Sequence, residues 1–287
     1  MTLERFPPLP AHGAPGRRRL PFSPWHLFLA PVAAVMLVPL VWMVIVSLET
    51  EQQAQSFPPV LIPSGLHFSN YPAAWNAEPF ANFFLNSALY AGAAMIGNLV
   101  FCSLAGYAFA RIRFFGSNVL FVVFLATLMV PFQVLLIPTF LIVKDMGLID
   151  SVGGLIMPNL CSAFGVFMLR QFFRTLPIEL EEAARIDGTS RLGILVKIVL
   201  PLSMPALATL GIIQFVWSWN DFLWPLIIIN TTTHAPIQLG LTTLQGAHNT
   251  QWNLVMAGTV MSLIPMLALF LLAQRWFIRS VAFTGIK

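Results

Sequence analysis

Long apolar stretches separated by short polar segments make up most of this chain. A helix needs about 20 mostly apolar residues to cross roughly 30 Å of hydrocarbon. Six stretches suit that length, although glycines and prolines such as Gly153 and Pro158 interrupt the fourth. The pattern therefore predicts an all-α integral membrane protein with six transmembrane helices. The predicted spans cover residues 25–48, 80–110, 117–143, 152–169, 204–229 and 254–273, within a transmembrane domain of residues 25–273.

Composition supports this assignment. Of the 287 residues, 57% are hydrophobic and only 9% are charged, and the mean hydropathy is +0.80. Soluble domains carry about 25% charged residues, so this chain has too little charge to cover a water-facing surface. A net charge of +4 would suit a nucleic-acid partner, but basic residues of membrane proteins concentrate in cytoplasmic loops. We therefore expect contact with membrane lipid and no nucleic acid.

The basic residues predict which loops face the cytoplasm. With a cytoplasmic N-terminus, six spans leave residues 1–24, 111–116, 170–203 and 274–287 on the cytoplasmic side. These segments contain all of the 15 lysines and arginines except Lys144. Cytoplasmic loops are expected to hold such an excess, and a miscounted span would reverse every later loop. The charges thus predict cytoplasmic N- and C-termini.

The segments outside the predicted spans differ in composition. Residues 1–24 are rich in proline, glycine and arginine, which is typical of a mobile tail, and residues 274–287 form the predicted C-terminal tail. The charge-free stretch 20–48 is too long for a signal peptide, whose apolar region has about 7–15 residues. We therefore expect an uncleaved first span. The prolines of residues 49–79 favour an extended, turn-rich external loop.

The cytoplasmic segment 170–203 carries helix start and stop signals. Pro177 suits a first helical position, the acidic residues that follow suit a helix N-terminus, and Gly188 suits a helix end. These signals predict a helix of about ten residues, and apolar spacing predicts a second helical run over residues 190–200. Such a pair of helices is either a solvated surface hairpin or a docking element for a cytoplasmic partner.

The same segment resembles the EAA motif of permeases from binding-protein-dependent ATP-binding cassette (ABC) importers. The motif's residues here are Glu182-Ala183-Ala184, Gly188 and Ile198-x-Leu200-Pro201, and residues 185–187 and 189–197 fill its two intervals. Most of residues 25–287 also resemble the maltose-type, MalG-like carbohydrate permeases, notably Trp217-Ser-Trp-Asn-Asp-Phe-Leu-Trp-Pro225. The end of the chain departs from that pattern, because Gly285 is the single glycine of a tail that is usually glycine-rich.

The resemblance implies a permease that couples to a separate ATPase. It implies a bacterial inner-membrane location, a second related permease with which this chain forms a heterodimer, two ATPase subunits and an external solute-binding protein. The solute would be a sugar, an oligosaccharide or a glycerol phosphate derivative. The chain itself would be non-catalytic and need no cofactor, because ATP would be bound by the partner subunits. The residues implied to dock on the ATPase are Glu181, Glu182, Ala183, Ala184, Asp187 and Gly188.

The sequence lacks the residues that nucleotide or metal chemistry needs. A phosphate-binding loop requires a lysine after glycine, whereas Lys144, Lys197 and Lys287 each follow valine or isoleucine. Cys102 and Cys161 lie in apolar runs without a metal-ligand pattern. We therefore predict no nucleotide site, no metal site and no catalytic residue in this chain.

One ionisable residue, Asp221, lies well inside a predicted span. Intramembrane carboxylates often line transport pathways, and with Trp217, Asn220 and Trp224 it would form a polar and aromatic substrate path. Alternatively, its carboxylate is satisfied by neighbouring groups and has only a structural role. An ion-coupled secondary transporter is the rival function, but such proteins usually bury several ionisable groups. A membrane enzyme would need a clustered catalytic site.

Overall fold

The computed structural model describes residues 25–245 and 250–284, with side chains as far as Leu272. The predicted N-terminal tail and the last three residues lie outside these ranges. Within them the fold is helical, and the only pairing of extended backbone is an isolated bridge between Gln245 and Thr250.

Fifteen α-helices follow one another along the described residues. They are α1 (Trp25–Ser47), α2 (Glu51–Ala54), α3 (Asn70–Ala77), α4 (Phe80–Arg111), α5 (Ser117–Ala126), α6 (Phe132–Asp145), α7 (Val152–Ile156), α8 (Ala163–Thr175), α9 (Glu179–Ile186), α10 (Arg191–Ile194), α11 (Leu200–Leu202), α12 (Met204–Trp219), α13 (Leu223–Ile228), α14 (Ile237–Gly240) and α15 (Trp252–Thr284). Short 3₁₀ turns extend several of them, and a π-helical segment, Leu195–Val199, joins α10 to α11.

Contacts divide the chain into two units, one ending at Trp42 and the other beginning at Met43. The described part of the first unit, residues 25–42, is a stretch of α1 whose residues are mostly apolar. The second unit contains the end of α1 and all the later helices.

Three helices are long and apolar enough to cross a membrane unbroken: α1, α4 and the part of α15 up to Leu272. Three further candidates are pairs of helices that bend at a short break. The bends are 106° between Ser117–Met129 and Phe132–Asp145, 45° between Val152–Asn159 and Ala163–Thr175, and 83° between Arg191–Leu202 and Met204–Trp219. The count reaches six if each bent pair is one span.

The breaks differ from the continuous spans that the sequence predicted. Pro131 lies between the two halves of the bent pair Ser117–Met129 and Phe132–Asp145. Proline lacks the N–H that would continue a helix. In the bent pair Val152–Asn159 and Ala163–Thr175, Ser162 caps the start of α8 by accepting a hydrogen bond from the N–H of Gly165. The predicted span 204–229 is interrupted after Trp219, so that Asp221 lies between α12 and α13.

Helix α4 forms the centre of the second unit, where it packs against α8 and α12. Its buried positions recur at helical spacing, and many are small, which lets neighbouring helices approach closely. At Gly106 a side chain would meet the backbone of α8 at 3.2 Å. The two ends of α4 enter separate apolar clusters, one around Phe80, Phe83, Tyr90 and Trp224, the other around Cys102, Tyr107, Phe173 and Leu210.

The predicted external loops contact one another. Asp150 accepts hydrogen bonds at Oδ1 from the backbone N–H groups of Asn230 and Thr231, at 3.0 and 3.1 Å. Burial alone would raise the pKa of the Asp150 carboxyl, but these bonds and the nearby His234 lower it overall. Because the N–H groups favour the ionised form of the carboxyl, Asp150 joins the two loops as a carboxylate.

The external segment 49–79 contains more helix than its prolines predicted. Thr50 and Gln53 form a reciprocal capping box that begins α2. The buried side chain of Asn70, at the start of α3, donates to the carbonyl oxygens of Ser47 and Glu49. These polar contacts give two short helices to a segment that proline content alone assigns to an extended loop.

Contacts pair segments that were predicted on the same side of the membrane. Between two segments predicted to be external, the side chain of Gln55 donates to the carbonyl oxygen of Thr250. Between two segments predicted to be cytoplasmic, Arg111 at the end of α4 contacts the end of α8. The number of spans and the orientation of the termini remain predictions.

Cysteine labelling will check this topology. In a background with Cys102 and Cys161 replaced by serine, we expect single cysteines at Gln52 and Thr243 to react with a membrane-impermeant maleimide added to whole cells. Cysteines at Arg113 and Ser190, as matched cytoplasmic positions, are expected to react only after the membrane is permeabilised. Labelling of Ser190→Cys in intact cells would contradict the predicted six-span topology.

Candidate functional site

The predicted cytoplasmic helix is present as α9, which spans Glu179–Ile186. It begins two residues after Pro177, which the sequence placed at its first position. It ends in a Schellman motif: the N–H of Thr189 donates to the carbonyl of Ala184 and that of Gly188 to the carbonyl of Arg185. Gly188 has a φ of +78°, in the left-handed region, and ends the helix where the sequence predicted.

The inner face of α9 is fastened by a buried ion pair. The side chains of Arg111 and Glu181 are 9% and 2% exposed, and Arg111 Nε lies 2.8 Å from Glu181 Oε1. The other carboxylate oxygen, Oε2, accepts a hydrogen bond from the hydroxyl of Tyr107 at 3.0 Å. Ala184, one turn further along α9, is also buried. Tyr107 and Arg111, both on α4, thus hold the buried face of α9.

The guanidinium of Arg111 also holds the end of α8. Its Nη2 donates to the carbonyl oxygens of Phe173 and Leu176, at 2.7 and 2.5 Å. The last carbonyls of a helix lack intrahelical partners, and a cation is favourable there because of the helix dipole. A single side chain therefore joins the ends of α4 and α8 to the inner face of α9.

The outer face of α9 is exposed. It presents Glu182, Ala183 and Asp187 together with Ile186, whose side chain is 88% exposed. Of the six residues predicted to dock, Glu182, Ala183, Asp187 and Gly188 are exposed, whereas Glu181 and Ala184 are buried. The sequence did not separate the two faces, because the burial of Glu181 depends on Tyr107 and Arg111, far away in the chain.

The second predicted helical run spans α10, the π-helical segment and α11. Ser190 caps it by accepting from the N–H of Gly193. Of the four apolar positions that predicted it, Leu195 and Val199 are buried, whereas Leu192 and Val196 are 60% and 54% exposed. A π-helical turn holds one more residue than an α-helical turn, so the pattern of buried positions shifts at this point.

Asp221 lies in a network of hydrogen bonds at the break between α12 and α13. Its Oδ2 accepts from the hydroxyl of Tyr90 at 2.7 Å, and its Oδ1 accepts from the backbone N–H of Trp224 at 3.4 Å. Asn159 Nδ2 donates to the Tyr90 hydroxyl at 3.0 Å and to the carbonyl oxygen of Leu155 at 3.1 Å. The carboxylate is therefore satisfied by neighbouring groups, as the structural interpretation requires.

The same carboxylate lines a cavity, as the alternative interpretation requires. The cavity has a volume of about 470 Å³, within the roughly 300–1,000 Å³ of small-molecule sites. All four predicted path residues line it, and the structure adds six more. The full lining is Tyr90, Phe132, Pro158, Asn159, Val216, Trp217, Ser218, Asn220, Asp221 and Trp224. A tyrosine within a span was the signal that could have found Tyr90, because a buried phenol usually has a polar partner.

A second cavity and the two cysteines offer few polar or metal-binding groups. The second cavity, of about 840 Å³, is lined mostly by apolar side chains such as Leu99, Leu195 and Leu207. Cys102 and Cys161 are free thiols with sulfur atoms 4.0 Å apart. Among the side chains that the structure describes, no three or more of histidine, cysteine, aspartate and glutamate are grouped as metal ligands.

Comparison with known proteins relates this fold to transport. Residues 99–282 match the family model described as binding-protein-dependent transport system inner membrane component. The chain is 38% identical over 265 residues to the sn-glycerol-3-phosphate transport system permease protein UgpE of Yersinia pestis bv. Antiqua (strain Antiqua), covering 89% of this chain and 94% of UgpE. It is 33% identical over 276 residues to the arabinooligosaccharides transport system permease protein AraQ of Halalkalibacterium halodurans, covering 94% and 99%.

Solved structures agree with these relatives. A chain of a bacterial ABC transporter involved in the import of the acidic polysaccharide alginate matches with a TM-score of 0.75 and 25% identity, covering 89% of this chain and 99% of that chain. A bacterial alginate ABC transporter in complex with an alginate pentasaccharide-bound periplasmic protein matches in fold, with a TM-score of 0.62 and 15% identity.

The family match covers well over half of the chain, and the identities to UgpE and AraQ extend over nearly all of it. Family members are transport components rather than catalysts. On this evidence, and in agreement with its helical fold and its EAA-like segment, the chain belongs to the family of binding-protein-dependent transport system inner membrane components, the permease subunits of ABC importers.

Proposed function

We propose that this permease is one half of a heterodimeric, alternating-access pathway in the bacterial inner membrane. A second related permease completes the pathway, an external solute-binding protein delivers the solute, and two separate ATPase subunits bind and hydrolyse ATP. The solute is a sugar, an oligosaccharide or a glycerol phosphate derivative. The relatives UgpE and AraQ, whose names specify glycerol phosphate and arabinooligosaccharides, support this range.

The division of α9 into a fastened face and an exposed face is the observation that carries the proposal. A short helix that presents Glu182, Ala183 and Ile186 to solvent suits insertion into a groove on a partner. Ile186 supplies an apolar anchor, and the small Ala183 allows the partner's backbone to approach closely. Glu182 supplies a charge that a basic residue of the ATPase would match.

The fastened face gives a route by which ATPase movement would reach the membrane. Glu181 and Arg111 join α9 to α4 and to the end of α8, and α4 packs against α12 further into the membrane. A rigid displacement of α9 would therefore displace α4 and α8 with it. In this proposal Glu181 and Arg111 are positioning residues, while Glu182, Ala183 and Ile186 contact the ATPase.

The surroundings of Asp221 favour this proposal over an ion-coupled transporter. A proton or ion relay usually contains several ionisable groups. In the part of the chain that the structure describes, the bonds to the Asp221 carboxylate come from a tyrosine hydroxyl and a backbone N–H, not from a second acid or a histidine. That arrangement suits a fixed lining group better than a link in a relay.

Substitutions on the outer face of α9 will test docking. Glu182→Lys places a cation where an anion is expected, and like-charge contact at an interface costs on the order of 2–5 kcal/mol. Gly188→Val forces a β-branched residue into a left-handed conformation that such residues resist. We expect either change to lower ATPase retention at least about tenfold in co-purification, and to abolish coupled uptake, while membrane insertion is kept.

Two matched variants control for charge and for conformation. Glu179→Lys reverses a charge in the first turn of the same helix, and Gly188→Asn adds a side chain that tolerates the left-handed region. Both are expected to retain most ATPase binding. If Glu182→Lys and Gly188→Val co-purify the ATPase as well as these controls do, docking through α9 is refuted.

Substitution of Glu181 will test the buried pair. Removing one partner of a buried ion pair typically costs about 3–5 kcal/mol, because the other charge is left without compensation. We therefore expect Glu181→Gln to lower the thermal unfolding temperature of the purified permease complex and to weaken coupling of hydrolysis to uptake. The measurement pairs a thermal unfolding scan with the uptake assay.

Glu179→Gln is the matched control for this change, because it neutralises an exposed carboxylate two residues away on α9. Its expected cost is about 0.3–1 kcal/mol, through the helix dipole alone. Equal stability and equal coupling of the Glu181→Gln and Glu179→Gln complexes would rule out the positioning role of Glu181.

A further inference from the structure

Several hydrogen-bond donors of the cavity beside Asp221 are already used within the protein. Both N–H groups of the Asn159 side chain already donate, one to Tyr90 and one to Leu155. The Tyr90 hydroxyl donates to Asp221, and the indole N–H of Trp224 donates to the carbonyl oxygen of Gly154 at 3.1 Å. The side chains of Asn159, Tyr90 and Trp224 therefore use their N–H and O–H groups in hydrogen bonds within the protein.

The acceptors of the same cavity are less fully used. A carboxylate has about four lone-pair positions, and Asp221 receives one bond at each of its two oxygens. Asp221 can therefore accept further hydrogen bonds, and a solute in the cavity would be placed to donate them. A solute rich in hydroxyl groups provides such donors.

Charge points in the same direction. Among the described residues that line the cavity there is no lysine, arginine or histidine, and Asp221 is the one charged side chain. An anionic solute would meet a like charge at short range in surroundings of low dielectric, where such repulsion is strongest.

The aromatic side chains of the lining suit the apolar faces of a sugar ring. Trp217 is 56% exposed, and the ring of Phe132 meets that of Trp224 edge-on, with centroids 6.3 Å apart. A pyranose or furanose ring has hydroxyl groups around its edge and apolar C–H groups on its faces. Aromatic walls with a few placed polar groups are typical of small-molecule sites.

We propose that this cavity is a subsite through which an uncharged carbohydrate passes, and that it disfavours phosphate esters. Asp221 accepts hydrogen bonds from solute hydroxyls, Tyr90 and Asn159 hold the carboxylate in place, and Trp217 packs against the ring. The inference rests on the proposed transport function and narrows its solute range, selecting neutral sugars over glycerol phosphate derivatives.

The first test concerns the solute. The assembled importer, with its binding protein, is reconstituted in proteoliposomes and offered paired probes: arabinotriose, maltotriose and glycerol against glucose 6-phosphate and glycerol 3-phosphate. We expect ATP-dependent uptake of at least one uncharged probe and of neither phosphate ester. Preferred uptake of a phosphate ester, or uptake of no uncharged probe, would overturn the proposal.

The second test concerns the site, with the uncharged probe that is carried. Asp221→Asn keeps the size of the side chain but removes the charge, and we expect uptake to fall about tenfold or more, with ATPase co-purification unchanged. Asp150→Asn is the matched control, because this carboxylate also accepts backbone N–H bonds but lies outside the cavity. It should alter uptake by no more than about twofold.

Trp217→Ala guards against a folding defect at Asp221, because the exposed Trp217 is not among the residues that hold the break together. We expect it to reduce uptake while assembly and ATPase binding stay normal. Normal uptake in both Asp221→Asn and Trp217→Ala, or an Asp221→Asn defect confined to assembly with normal Trp217→Ala uptake, would overturn the subsite. Failure of the wild-type chain to bind its ATPase would instead defeat the docking proposal.

Discussion

The buried ion pair between Arg111 and Glu181 is the contact on which the position of α9 depends. Both side chains are buried, so each charge is compensated by the other rather than by water. The same guanidinium donates to carbonyl oxygens at the end of α8. A surface ion pair, which contributes little, would fix α9 much less firmly. Here α9 is joined to α4 and α8, so the positions of the three helices depend on one another.

Helix α4 links that contact to the cavity. Tyr107 and Tyr90 both lie on it and both donate to a carboxylate, Glu181 at one level and Asp221 at the other. They are separated by about 25 Å along the helix axis, at 1.5 Å per residue. Backbone groups within a membrane must be satisfied internally, and Asp221 meets part of that need by accepting from Trp224 N–H. Its structural role and its place in the cavity lining are therefore compatible.

Local patterns predicted the helical membrane class, the segment that became α9 and the conformation of Gly188, because each depends on nearby residues. The four candidate path residues were singled out for the same reason, since an intramembrane carboxylate flanked by tryptophans is conspicuous, and they line one cavity. The burial of Glu181 and the contacts of Tyr90 and Asn159 depend on residues far apart in the chain, which one sequence does not pair. The bend at Pro131 was missed because apolar content shows length but not direction, and proline alone does not fix an angle.

The helical run over residues 191–202 constrains how this region can evolve. Each residue of a helix turns the chain by about 100°, so one insertion or deletion within this run would rotate the part that precedes it relative to the part that follows. The side chains that α10 buries would then point elsewhere. Exchanges of side chain leave that geometry intact, whereas changes of length do not. The interval of the EAA-like motif is thus a constraint on spacing.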